Sequence, residues 1–115
     1  MARVFSFARG EEYLDGLTRQ WTSKVGCVTC HTTLPYFTCR LTMGNVPDSA
    51  VAELREFMEY RVAHWDSEKP LWDAEVLITA VSMVVHDSPA GKLQPETRTA
   101  LERMWSLQRE NGAWN

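Results

Sequence analysis

Asp73-Ala74-Glu75-Val76-Leu77-Ile78-Thr79-Ala80-Val81-Ser82-Met83-Val84-Val85-His86 is the stretch whose reading decides the fold of this 115-residue chain. Its centre, Val76 to Val81, is apolar and largely β-branched, and read alone it is a strand. Three features decide for a helix. The apolar run outlasts an ordinary strand. Asp73 and Glu75 place acids at what would be the positive end of a helix dipole. The segments on both sides have helical periodicity. A helix from Leu71 to His86, buried almost all round, is therefore expected.

Working outward, Val46-Pro47-Asp48-Ser49 is a helix start with Asp48 as its cap. That helix runs to about Asp66. Val51, Leu54, Met58, Val62 and Trp65 form its buried stripe, with Glu53, Arg55, Glu56 and Glu59 outward. Residues 67–70 are a tight connection. Asp87 to Leu93 is a loop holding Pro89 and Gly91. Gln94-Pro95-Glu96 opens the last helix, whose apolar face is Ala100, Leu101, Met104, Trp105 and Leu107. Towards the N-terminus, residues 1–9 read as a frayed start. Gly10-Glu11-Glu12 opens a helix to Lys24 with a stripe of Tyr13, Leu14, Leu17 and Trp21, and Gly26 breaks it. A threonine-rich helical stretch follows from Cys27 towards Met43, interrupted at Pro35. Tyr36, Phe37 and Leu41 pack within it, Cys39 is a buried small residue, and Gly44-Asn45 ends it. The expected fold is all-α, about five helices in antiparallel pairs. It forms one domain over 1–115, with segments at 10–45 and 47–115.

Composition narrows the function. The net charge of −3 gives no nucleic-acid footprint. Residues 1–40 carry a balance of +2 and residues 41–115 one of −5. No apolar run reaches the length of a membrane span. Arg9 interrupts the short apolar start, so no leader is visible.

The chemistry concentrates at Cys27-Val28-Thr29-Cys30-His31. Two thiols spaced C-x-x-C and followed by histidine form the attachment signature of a c-type haem. Each thiol adds to one vinyl group of the porphyrin, and the imidazole sits beneath the iron as proximal ligand. On a helix, positions i, i+3 and i+4 share a face, so Cys27, Cys30 and His31 are expected to point together. Met83, His86 and His64 are the candidates for a sixth ligand. Each also has a plain reading: a core methionine, a histidine at a helix C-terminus, a partly exposed histidine near a helix end. The cysteine pair has other readings too: a redox dithiol, half a zinc site completed by Cys39 or a distant histidine, or buried thiols beside a surface histidine.

The Cys27–His31 stretch resembles the haem motif of c-type cytochromes, and the resemblance ends with those residues. It implies covalent haem c, electron transfer or redox sensing, and a redox partner protein or second domain. It also implies export to a periplasmic or similar oxidising compartment. The tail carries a second resemblance. Gln108-x-x-x-Gly112-x-Trp114 is similar to the repeat motif of squalene–hopene cyclase and prenyltransferase-like α/α-toroid proteins, and the run Gly26 to Tyr36 resembles a segment preceding the toroid in some of them. This implies that the chain is a piece of a longer protein. Asp73 and Asp87 read as isolated helix-end acids rather than the acidic cluster of a cyclase, so no enzyme activity is carried over. Two further hypotheses stand beside haem. One is a non-catalytic helical fragment of a toroid protein. The other is a thiol–disulfide protein, which requires a lowered pKa at Cys27.

Overall fold

The structure is a computed structural model that describes residues 4–70 and 72–114. Among these residues it is all-α, with five α-helices: α1 (Phe7–Val25), α2 (Thr33–Thr38), α3 (Asp48–His64), α4 (Asp73–Asp87) and α5 (Pro95–Ser106). Short 3-10 turns follow α2 at Arg40–Met43 and α4 at Ser88–Ala90. The ambiguous stretch is helical, as length and context require. Val81 is the one exposed residue of α4, while Val76, Ala80 and Met83 lie in the core. The core gathers these with Leu54, Met58, Val62 and Trp65 of α3, Tyr36 and Phe37 of α2, and Ala100 and Met104 of α5.

Local signals explain most helix ends. Ser6 caps α1, its hydroxyl oxygen accepting from the Arg9 N–H at 3.3 Å, so the helix starts at Phe7, ahead of the Gly10 that the sequence suggests. Gly26 closes it in the left-handed region at φ 70°. Asp48 is the first residue of α3 rather than its cap, and there it meets the positive end of the dipole. Pro95 opens α5, where its missing N–H costs nothing.

Several expectations fail. Cys27 to Thr32 is not helical. Its threonines satisfy the backbone locally: Thr29 Oγ1 accepts from Thr32 N at 3.2 Å, and Thr33 Oγ1 accepts from Thr29 N at 3.3 Å. Such bonds compete with helix formation. The α1 stripe is also less buried than periodicity implies. Tyr13 is exposed, Leu14, Leu17 and Trp21 are half-buried, and Thr18 is the buried residue of the helix. Cys39 and Trp105 are likewise exposed rather than core.

Buried ion pairs tie the helices together. Arg40 reaches back to Asp15 of α1 with Nε and Nη2 at 2.9 and 3.0 Å. Arg61 of α3 grips Glu75 of α4 with Nε and Nη2 at 2.8 and 3.2 Å. Arg55 of α3, assigned outward from the sequence, is buried and donates to Asp87 at 2.8 Å and to Thr97 of α5 at 2.9 Å. Asp87 is therefore no isolated helix-end acid. It also accepts from the Thr97 hydroxyl at 2.6 Å and from Gln94 N at 2.8 Å.

Candidate functional site

The turn 26–32 is held from below by Glu75. This fully buried carboxylate accepts from the Val28 N–H at 3.4 Å while it holds Arg61. The turn is thereby set against the start of α4 and the end of α1. Between them lies a cavity of about 310 Å³ lined by Trp21, Val25, Cys27, Thr29, Cys30, His31, Trp72, Ala74 and Ile78. Its surface is predominantly apolar. The His31 ring stands edge-on to Trp21, with centroids 4.5 Å apart. The Trp21 indole N–H is buried.

The motif residues thus gather at one cavity, but not as a haem anchor. Cys27 is 3% exposed, whereas Cys30 and His31 are exposed. They do not share a helix face, because the segment is a turn. Burial pushes the Cys27 thiol up, and the negative charge of Glu75 adds to the shift; the Trp21 indole and Arg61 oppose it. A thiolate at Cys27 is therefore disfavoured, which removes the lowered pKa that a thiol–disulfide protein requires. Among the described residues, no group of three or more His, Cys, Asp or Glu is arranged to hold a metal ion. This overturns the covalent haem c reading, with its iron and its electron-transfer role, and the zinc reading with it. Export to the periplasm was inferred from haem, and its basis goes too.

The proposed sixth ligands are all engaged elsewhere, away from this cavity. Met83 is fully buried in the core. His86 sits edge-on to Phe37 at 5.6 Å, with Nδ1 3.3 Å from Arg55 Nη1. His64 stacks on Tyr60 at 4.1 Å and directs Nδ1 at the Tyr60 carbonyl, 2.8 Å away.

At the tail, Gln108 Nε2 donates to Gly112 O at 2.9 Å, and Trp114 Nε1 donates to Met104 O at 2.9 Å. Gly112 turns the backbone at φ 83°. The first bond closes the 108–112 turn beyond α5, and the second joins the Leu107 N–H at the Met104 carbonyl in the last turn of the helix.

No protein family, curated protein or solved structure matches the chain. The resemblances to c-type cytochromes and to the α/α-toroid proteins are therefore both withdrawn. Residues 108–114 are one local helix ending, and a toroid arrangement is not shown.

Sequence reading missed Trp72, Ala74 and Ile78 as partners of the motif. It also missed Glu75, whose carboxylate positions the turn. A charged residue at the head of the most apolar helix was the available signal, since such a group is rarely buried without a partner.

Proposed function

We propose that this chain is a non-catalytic helical binding module whose working surface is the cavity beside Cys27–His31, and that the cavity takes one small apolar group, aromatic or branched aliphatic. The observation that carries this reading is the lining. Two tryptophans, a histidine ring, an isoleucine and two cysteines surround a space of about 310 Å³. Concave apolar sites with few polar groups are where small ligands gain most from leaving water. Aromatic walls favour planar groups through stacked and edge-on contacts. The raised Cys27 thiol supports a binding role over thiol chemistry. This keeps the non-catalytic helical reading and adds a ligand surface to it.

Toluene is a suitable probe. Titration into isotopically labelled protein should give saturable shifts at the amides of Cys30, His31 and Ile78 and raise the melting temperature. Ala74→Leu, which fills the cavity, should abolish the toluene shifts while the protein remains folded. Shifts that do not saturate, or that persist unchanged in Ala74→Leu, would sink the proposal.

A further inference from the structure

One face of α1 is apolar and half uncovered. The helix packs on α2, α3 and the 3-10 turn at Arg40–Met43. The side that does so is largely polar: Thr18 is buried there, Glu11 and Asp15 reach Arg40, and Arg19 reaches Glu53. Next to it runs a stripe of Phe7, Gly10, Leu14, Leu17, Trp21 and Val25. Phe7 and Val25 are exposed, and Leu14, Leu17 and Trp21 are half-buried. Phe7, Leu14 and Trp21 stand seven residues apart, and so do Gly10 and Leu17. A seven-residue repeat of this kind keeps a seam facing a second helix.

We propose that α1 pairs antiparallel with α1 of a second copy of this chain, about a two-fold axis between Leu14 and Leu17. The seam is self-complementary in that register. Leu14 meets Leu17 of the second copy, Phe7 meets Lys24, and Gly10 meets Trp21. The bulkiest side chain of the seam thus faces the one residue that has none, and the symmetry repeats the match at the other end. Gly10 has the room, since a Cβ built on it meets nothing within 4 Å. A parallel pair would set Trp21 on Trp21 and Gly10 on Gly10, crowding one layer and emptying another. Lys24 lays its stem and charge against the Phe7 ring. Tyr13 flanks the seam level with Gln20 of the second copy. The area is sufficient. Phe5, Phe7 and Tyr13 are 82%, 50% and 65% exposed, and their rings offer about 400 Å² per copy. With the open parts of Leu14, Leu17, Trp21 and Val25, two copies bury about 1,200 Å², the lower end for a specific interface. Trp21 and Val25 also wall the cavity beside Cys27–His31, but the pairing needs no ligand there.

The test is sedimentation equilibrium from about 1 µM to about 1 mM protein, a range that brackets the affinity of a small interface. A reductant is present throughout, so that the exposed thiols of Cys30 and Cys39 form no cross-link. A reversible monomer–dimer equilibrium is expected. Gly10→Leu is the deciding variant. It adds an apolar side chain in open space and a better helix former, so the monomer should melt no lower than the parent. The new side chain fills the place of Trp21 of the second copy, so dimerisation should weaken about tenfold or more. Phe7→Ala should also weaken it. In a mixture of labelled and unlabelled protein, isotope-filtered NMR should show contacts between Gly10 of one copy and the Trp21 ring of the other. A monomer at every concentration overturns the proposal and leaves the face to a different partner. A dimer unaltered or tightened by Gly10→Leu, or one without the Gly10–Trp21 contacts, overturns it as well.

Discussion

Arg55 of α3 donates to Asp87 at the end of α4 across 2.8 Å, and both side chains are closed to solvent. Thr97 of α5 bonds to both of them, so three helices meet at one charge pair. Removing either partner leaves the other charge buried and uncompensated. Asp87→Ala should therefore destabilise the fold by about 3–5 kcal/mol in guanidinium denaturation. The double change Arg55→Met with Asp87→Leu should recover most of that loss. A single Asp87→Ala variant as stable as the parent would show that the pair does not hold the helices.

The same aspartate sets an acid limit. Burial pushes its carboxyl up, but the Thr97 hydroxyl, the Gln94 N–H and the Arg55 charge together hold it below the ordinary aspartate value. Its stabilising contribution is complete above the unfolded pKa of about 4 and is lost as pH falls through the lower folded value. Stability measured from pH 6 down to pH 2 should fall steeply below about pH 4. The fall should be shallower in Asp87→Asn, which has no proton to gain there.

Thiol accessibility follows from the 26–32 turn. Cys30 and Cys39 are exposed and Cys27 is buried with a raised pKa. Ellman's reagent at neutral pH should modify two thiols quickly and the third only on unfolding. Glu75→Gln removes the charge that holds Arg61 and weakens the bond to Val28 N–H, so Cys27 should become reactive in the native protein. Three thiols of equal rate in the parent would contradict the burial of Cys27.

At the tail, Gly112 has φ 83°, and a Cβ there would meet only Gln108 Nε2, at 3.9 Å. Substitution is thus a question of backbone conformation and not of space. Gly112→Ala should cost about 1–2 kcal/mol, and Gly112→Asn less, because asparagine visits the left-handed region more readily. Melting temperatures should rank the parent highest, then Gly112→Asn, then Gly112→Ala.

The helical course of this chain was legible because its apolar residues recur at helical spacing and its breaks fall at Gly26, Gly44 and Pro95. The turn at Cys27–Thr32 was not. Threonine hydroxyls that satisfy neighbouring backbone groups leave no periodic trace. The motif residues do meet at one cavity, yet three fixed positions say nothing of orientation, and a turn sends Cys27 inward and Cys30 outward. The buried arginines were hidden by type. Arginine reads as surface, although Arg61 lies seven residues after Leu54, squarely on the apolar stripe of α3. The paired appearance of Glu75 and Asp87 at the two ends of the most apolar helix was the complementary sign.

Both of those acids belong to α4, and both of their arginines to α3. Six residues separate Arg55 from Arg61, a rise of ~9 Å along the helix, whereas the twelve between Glu75 and Asp87 span ~18 Å. Two anchor points ~9 Å apart on α3 thus hold two that are ~18 Å apart on α4. Sliding α4 along α3 either way would slacken one tether only by overstretching the other. The two pairs work as a ruler that admits a single alignment of the helices, so a one-turn slip, which an apolar surface alone would tolerate, is refused at both ends at once.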